Sequence, residues 1–247
     1  MATSKRPRRR KAGLLRRVWV NGAAVAVILA GAWGAINTPV FHASDVHVSG
    51  GARLSRARIV ELAGVGPTTN VVRLSTEAVA RRLEMDPWIA DAAVTRVLPA
   101  TVRIEVVERR PLATVRAGSR WALVAGDGTV LRLGTKRPPF PVLEGAALRA
   151  AGPGTLVQRS EAVLQVLSRL EMRLGPASAR LVRGGVQIRL PSGARILYGD
   201  DSEWRWKNAA LTALMRWAHG QGRAPAILDV RVPNAPALEL EPVATPA

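Results

Sequence analysis

The chain has 247 residues, 48% of them apolar, which suits one large or two small domains with packed cores. It contains no cysteine, which excludes thiol catalysis, disulfide frameworks and cysteine-ligated zinc. Its 36 basic and 18 acidic residues give a net charge of +18, which on its own favours a polyanionic partner such as nucleic acid. Eight of the basic residues fall within the first seventeen positions, and the remaining 28 against 18 still leave +10. Both the codon bias of a GC-rich genome and selected polyanion binding are consistent with this excess.

The run VWVNGAAVAVILAGAWGAI, residues 18–36, is nineteen residues long and carries no charge. As a helix it would be about 28 Å long, close to the ~30 Å hydrocarbon core of a bilayer. Trp19 and Trp33 lie near its opposite ends, where interfacial aromatic anchors are expected, and arginines precede it. The pattern predicts a basic cytoplasmic tail (1–17), a transmembrane helix (18–37) and an extracytoplasmic remainder, which is a single-pass type II protein of the cell membrane.

Two alternatives remain for this N-terminal region. A cleaved signal peptide has the same polarity, but its apolar core is normally only about 7–15 residues long. A DNA-binding role for the arginine cluster is the other, although membrane topology already explains the charge. Membrane lipids are therefore an expected partner, and nucleic acid is not.

The residues after the run predict a small α+β module in the order strand, helix, helix, strand, strand. SDVHVSG (44–50) alternates as a strand does. Ser55 and Ser75 are predicted helix N-caps, and Gly64 is a predicted helix stop. The two last strands are joined by a turn at Leu98-Pro99-Ala100.

A specific ordered string of residues runs through this module. It comprises Val46, Val48, Gly50, Ser55, Ile59, Pro87, Trp88, Ile89, Ala92, Val94, Arg96, Pro99, Val102, Ile104, Val106, Glu108, Arg109, Pro111 and Ala113. With a basic tail and one apolar run before it, this string resembles the FtsQ/DivIB family of bacterial cell-division proteins, in which the module is called POTRA. The resemblance is strong over 44–113 and weaker as far as Val232. It implies a POTRA-like βααββ domain (44–112), an FtsQ-type β domain (113–240) and a flexible tail (241–247).

The charged cluster Glu108-Arg109-Arg110-Pro111 lies where the first module ends. We interpret it mainly as a seam between modules rather than as a ligand site, because another periodic segment begins within a few residues. A local pair between Glu108 and Arg109 would contribute only about 0–1 kcal/mol if exposed.

The second module is predicted to be a mostly antiparallel β domain with two packed helices. The predicted elements are a hairpin around Gly126-Asp127-Gly128, a helix within 156–175 whose apolar stripe ends at Leu174, strands at 179–183, 186–190 and 194–199, a helix over 202–220 capped by Ser202, and a final strand within 226–234. Trp206 and Trp217 are interpreted as core residues and Trp204 as exposed.

The residues that carry chemistry do not form an active-site pattern. His42, His47 and His219 lack the spacing of metal ligands, and the sequence has neither a nucleophile elbow nor a phosphate-binding glycine loop. The sequence therefore predicts a non-catalytic protein without a cofactor.

An outward-facing protein of this kind acts by binding. The last strand, Ile227 to Val232, is predicted to be a sheet edge, whose unpaired N–H and C=O groups can pair with an extended peptide. The resemblance implies that FtsB/DivIC-like and FtsL-like subunits dock there by strand addition, that FtsW- and FtsI-like septal synthases are further partners, and that the protein is a divisome scaffold at the division septum. The predicted partner-binding residues are Leu228, Asp229, Val230, Arg231, Val232, Asn234, Trp204 and Lys207.

Two other functions fit parts of the sequence. A POTRA-containing assembly factor is one, although the two amphipathic helices of the second module argue against it. A membrane-anchored binder of anionic wall or lipid polymers is the other, and the +10 charge outside the N-terminal tail motivates it. In some members of the family an aromatic residue takes the place of Val232, so the docking contacts can be distributed differently here.

Overall fold

The computed structural model describes residues 25–31, 33, 34, 36, 38–146, 148, 152–170 and 175–241. Its N-terminal part is helical at 25–31, 33, 34 and 36. Over the described residues, no helix combines the length and the apolar character needed to cross a bilayer. The predicted basic tail, Trp19 and all of the predicted flexible tail except Glu241 lie outside the described residues. The membrane anchor therefore stays a prediction.

The chain divides into two units by its internal contacts. The first contains the residues up to Leu83 together with Asp91–Val106, and the second contains Glu84–Ala90 together with the residues from Val107 onward. The domain boundaries predicted from the sequence remain an interpretation.

The first unit contains the predicted order of strand, helix, helix, strand and strand, which is confirmed. These elements are β1 (Asp45–Ser49), α1 (Arg56–Ala63), α2 (Thr76–Glu84), β2 (Ile89–Val97) and β3 (Thr101–Glu108). A few of their terminal residues are assigned by their contacts to the second unit: Glu84, Ile89, Ala90, Val107 and Glu108. The strands form a sheet in the order β1-β3-β2, in which β1 runs parallel to β3 with Asp45 opposite Thr101.

Both helices of this unit begin at the predicted serines. The Arg58 N–H donates to Ser55 Oγ at 3.2 Å, and the Ala78 N–H donates to Ser75 Oγ at 3.3 Å. Each bond satisfies a donor that the first turn of a helix leaves without an intrahelical partner. Gly64 ends α1 at φ +63°, in the left-handed region that glycine enters most readily.

Apolar side chains from α1, α2 and β3 form the core of the first unit. The alternating residues of β3 that point inward are between 0% and 4% exposed, as are the matching helix residues; together they are Ile59, Ala63, Val79, Leu83, Val102, Ile104 and Val106. Full burial of one such aliphatic side chain contributes roughly 1.5–3 kcal/mol. The period of two in β3 and of three to four in the helices made this core predictable.

A nine-stranded sheet dominates the second unit, in the order β12-β11-β10-β9-β8-β7-β4-β5-β6. Five of its eight strand pairs are antiparallel and three are parallel, in agreement with the predicted mostly antiparallel domain. The strands are β4 (Pro111–Ala117), β5 (Arg120–Ala125), β6 (Val130–Gly134), β7 (Val142–Glu144), β8 (Ser178–Val182), β9 (Gly185–Arg189), β10 (Arg195–Gly199), β11 (Pro225–Asp229) and β12 (Ala237–Leu240).

Two helices of this unit, α3 (Glu161–Arg169) and α4 (Trp204–Gly220), contribute to its core. The buried stripe of α3 contains Val163, Val166 and Leu167, as predicted, whereas Leu174 lies outside the described residues. These side chains pack with Leu211 of α4 and with residues of the sheet. The mixed α+β architecture predicted from the sequence is therefore confirmed.

The predicted start of α4 is wrong. Glu203, at φ +47°, precedes the first helical residue, and Ser202 forms no cap. The Ser202 N–H and hydroxyl both donate to Asp200 Oδ1 instead, the former at 3.1 Å. The Ser202 hydroxyl is therefore used in a local hydrogen bond to Asp200 and does not cap the helix.

Candidate functional site

The open edge of the large sheet at its C-terminal end is β12, and the predicted edge is wrong. β11 pairs in parallel with β10 on one side and antiparallel with β12 on the other. The sequence signal for β12 is the short alternation Leu238-Glu239-Leu240 after the turn residues Pro233 and Asn234. Four residues are too few for such a pattern to stand out from an irregular tail.

The backbone of β12 presents hydrogen-bonding groups to this open edge. The Glu241 N–H donates to Ala224 O at 2.9 Å, so that it points toward β11. N–H groups alternate in direction along a strand, and the register of β12 against β11 places Leu238 opposite Leu228. The N–H groups of Leu238 and Leu240 therefore point away from β11, where an added strand could accept from them.

The segment after β11 turns because Asp229 binds the residue two positions on. The Arg231 N–H donates to Asp229 Oδ1 at 3.1 Å, and the Arg231 guanidinium reaches the same carboxylate, with Nη2 2.6 Å from Oδ2. These bonds to Arg231 hold the pKa of Asp229 below its ordinary value, and Asp229 in turn raises the pKa of Arg231. The predicted strand therefore stops at Asp229 rather than continuing to Val232.

Next to this turn lies a shallow groove of about 520 Å³, which we name the Trp206 groove. It is lined by Glu203, Trp206, Arg231, Val232, Pro233 and Asn234. Trp206 is 70% exposed and Val232 is 55% exposed, so both offer apolar surface to a partner. Three of the predicted partner-binding residues, Arg231, Val232 and Asn234, thus come together in one place.

Three other predicted partner-binding residues are buried and cannot contact a partner through their side chains. Leu228 and Val230 are fully buried in the core, because they continue the inward-facing alternation of β11. Lys207 is 1% exposed, and its Nζ donates to Asp200 Oδ1 at 2.7 Å and to Asp200 O at 3.1 Å. Burial of these three side chains argues against the predicted partner contacts.

Lys207 and Asp200 together fix the corner from which α4 starts. The Lys207 hydrogen bond is the largest of the effects that lower the pKa of Asp200 to about 2. Lys207 Nζ also lies 5.6 Å from the centre of the Tyr198 ring, and burial raises the pKa of Tyr198 to about 12. The Tyr198 hydroxyl donates to Asn208 Oδ1 at 3.0 Å. The cluster adjoins the groove through Lys207, which follows Trp206 in α4 and whose N–H donates to the Glu203 carbonyl at 3.1 Å.

The tryptophans of α4 are arranged differently from the prediction. Trp206 and Trp217 are 70% and 55% exposed, whereas Trp204 is only partly exposed and has the guanidinium carbons of Arg169 and Arg205 5.5 Å and 5.1 Å from its ring centre. Trp206 and Trp217 are eleven residues apart, which is about three helical turns, so they lie on one face of α4. The buried stripe was misassigned because Lys207 and Asn208 occupy it, with partners that no sequence pattern reveals.

The charged cluster between the modules has a structural role. Arg109 Nε lies 2.7 Å from Asp127 Oδ2, in the turn between β5 and β6, and Arg109 Nη1 donates to Pro87 O at 3.2 Å. The Arg109 N–H also donates to Trp88 O at 2.8 Å. Arg109 therefore connects the segment at Pro87 and Trp88 with the turn at Asp127 within the second unit.

Comparisons with known proteins agree with this architecture. A family model described as POTRA domain, FtsQ-type, matches residues 41–109. The chain is 31% identical over 228 residues to the cell division protein FtsQ of Streptomyces collinus, covering 87% of this chain and 85% of that protein. It is 30% identical over 241 residues to FtsQ of Streptomyces bingchenggensis, covering 93% and 89% respectively. It is also 36% identical over 137 residues to FtsQ of Syntrophotalea carbinolica, where the match covers 54% of this chain and 48% of that protein. The chain belongs to the FtsQ family of cell division proteins.

Proposed function

We propose that this protein is a membrane-anchored, non-catalytic scaffold of the divisome that binds FtsB/DivIC-like and FtsL-like subunits by strand addition to β12. Membership of the FtsQ family supports a role in cell division. The observation that carries the docking proposal is the position of β12 at the end of a nine-stranded sheet, with one side open. An incoming strand would extend the sheet to ten.

The geometry of the edge supports a peptide of limited length. β12 has four residues, which corresponds to about 13 Å of strand. Two outward N–H groups, those of Leu238 and Leu240, would anchor the backbone of the partner. Side chains at Ala237 and Glu239 are exposed and would face alternate residues of the added strand.

The Trp206 groove supplies the apolar part of the proposed site. Aromatic residues dominate the energetics of many interfaces, and Trp206 is the largest exposed side chain that lines this groove. Arg231 is already held by Asp229, so little rotamer freedom would be lost when a partner docks against it. We propose that Arg231, Val232, Asn234 and Trp206 contact the partner, while Asp229 holds Arg231 in place.

The remainder of the proposal concerns location. The apolar run at 18–36 would anchor the chain in the cell membrane with both units outside the cytoplasm, and family membership supports recruitment to the septum. FtsW- and FtsI-like synthases are proposed as further partners without an assigned surface.

A pair of substitutions at one position tests strand addition. Leu238→Pro removes an outward N–H together with a partly buried side chain, whereas Leu238→Ala removes nearly the same packing and keeps the N–H. Binding of the FtsB-like subunit to the full-length protein is expected to weaken by about ten-fold more for the proline variant. Equal affinities of the two variants would refute strand addition at β12.

Amide hydrogen exchange provides an independent measurement. The FtsB-like subunit is expected to slow exchange at residues 238 and 240 while leaving β6, at the opposite end of the sheet, unchanged. Protection elsewhere with none in β12 would place the docking site on another surface.

A further inference from the structure

The start of the first unit is bound directly to the end of the apolar segment. Asn70 Nδ2 donates to the Ile36 carbonyl at 2.7 Å, and Arg73 lies over the Trp33 ring with 4.4 Å between the guanidinium carbon and the ring centre. The Val71 N–H donates to Phe41 O at 2.8 Å. Among the described residues, this loop therefore contacts the last residues of the apolar run directly.

The turn between β2 and β3 lies at the same end of this unit. The Ser44 N–H donates to Ala100 O at 3.0 Å, and β1 starts with Asp45 opposite Thr101. Arg96 Nη1 donates to Val72 O at 2.8 Å, which joins the end of β2 to the loop that holds Ile36. The turn and the loop thus form one surface where the chain emerges from the apolar segment.

This surface combines exposed aliphatic side chains with cations. Val40, Val97 and Leu98 are 63%, 42% and 61% exposed. Single exposed apolar residues are common on soluble proteins, but here three lie at one end, beside the exposed residues Arg73 and Arg96. Aliphatic tips flanked by arginines match the bilayer interface, where acyl chains lie beneath anionic phosphates.

We infer that this end of the POTRA unit is a membrane-docking surface, in which Leu98 and Val97 enter the lipid headgroup region while Arg73 and Arg96 bind anionic headgroups. The inference rests on the proposed membrane anchor. Its partner is an anionic lipid surface, and its consequence is that the unit is held against the bilayer instead of moving freely above it.

Depth-dependent quenching tests the inference on the full-length protein. The chain has no cysteine, so Leu98→Cys can be labelled with a fluorophore without background, and Ser49→Cys at the far end of β1 is the matched control. Asp45 lies opposite Thr101, next to the turn that contains Leu98, and β1 extends about 13 Å from Asp45 to Ser49. In vesicles of phosphatidylglycerol and phosphatidylcholine with a shallow nitroxide lipid, we expect at least about five-fold stronger quenching at Leu98.

Charge substitutions separate lipid binding from simple proximity. Arg73→Gln is expected to lower the ratio of docked to undocked protein by a factor of about five, whereas Arg103→Gln, on the exposed face of β3, should leave it unchanged. Vesicles of pure phosphatidylcholine should lower quenching at Leu98 in the same way as Arg73→Gln.

Several results would overturn the inference. Equal quenching at Leu98 and Ser49, or quenching at Leu98 that is indifferent to lipid charge, contradicts it. Protection of Leu98 only after another division protein is added would identify a protein partner and contradict it too. Flotation of the protein with vesicles tests the anchor separately: flotation with water-exposed Leu98 refutes this inference alone, whereas loss of flotation refutes it together with the proposed anchor.

Discussion

Asp200→Asn is the substitution whose effect follows most directly from the structure. Asp200 lies at the corner before α4 and accepts a 2.7 Å hydrogen bond from Nζ of Lys207, whose side chain is only 2% exposed. The change would leave a buried ammonium with a neutral amide and the Asp200 carbonyl as its acceptors. Removing one partner of a buried charge is costly because the other charge loses its compensation.

The magnitude follows from the pKa of Asp200, which lies at about 2 instead of 3.8. A shift of this size corresponds to about 2.4 kcal/mol if fully effective. The Asp200 side chain is 72% exposed, so solvent screens the pair and about 1 kcal/mol is the better expectation. The poorer solvation of Lys207 raises the expected loss to about 1–2 kcal/mol.

The dependence on pH has a definite sign. Because the folded-state pKa of Asp200 is depressed, its contribution is present above the unfolded value near 4 and is lost as the pH falls through about 2. The stability difference between the wild type and Asp200→Asn should therefore be constant at neutral pH and shrink between about pH 4 and pH 2.

Thermal unfolding of the full-length protein in mild detergent, followed by tryptophan fluorescence, measures this difference. The melting temperature is expected to fall by about 2–8 °C at pH 7 for Asp200→Asn. Asp201→Asn removes the same charge one residue along the chain and serves as the control. An equal effect of both substitutions, or a difference that persists undiminished at pH 2.5, would refute the role assigned to the Asp200–Lys207 pair.

Three further predictions concern packing, capping and docking. Gly185→Ala should destabilise the second unit by about 3 kcal/mol or more, because the new Cβ would lie 2.4 Å from a backbone carbon of β10. Gly193→Ala shares the positive φ but has open space around the new Cβ, so it should destabilise the unit by only about 1 kcal/mol. Urea unfolding of the two variants measures the difference. Ser55→Ala should destabilise the first unit by about 1 kcal/mol through loss of its N-cap, and faster amide exchange in α1 would report it. Trp206→Ala should weaken binding of the FtsB-like subunit by at least about ten-fold, whereas Trp217→Ala, on the same helix face but outside the groove, should have a smaller effect. Titration calorimetry measures both affinities, and equal affinities of the two variants would contradict the assignment of the groove.

The sequence by itself determined the elements whose signals are local. Ser55 and Ser75 cap helices because each hydroxyl accepts a hydrogen bond from an N–H group only three residues further along the chain. The alternation through Val102, Ile104 and Val106 fixed the buried face of β3, because a strand places every second side chain on the same side. Together with the POTRA motif, these signals were enough to predict the family.

The tertiary structure alone decided which strand is the edge. The sequence between Ile227 and Leu240 contains two strands, but their separation by a turn depends on Asp229 binding Arg231, and the shorter strand has only four residues. Which of the two strands forms the edge depends on how strands pair across the sheet, and the alternation of residues within one strand does not determine that pairing.

Burial of polar residues was likewise settled only by the fold. Lys207 and Asn208 occupy the inward stripe of α4 because Asp200, Tyr198 and the Arg169 carbonyl supply their hydrogen bonds. Because these polar residues occupy the inward face, Trp206 and Trp217 lie on the exposed face of α4, although large aromatic side chains are expected in a core. Hydrogen-bond partners distant in sequence can reverse the expected preference for burial, since a buried polar group is tolerated wherever its bonds are satisfied.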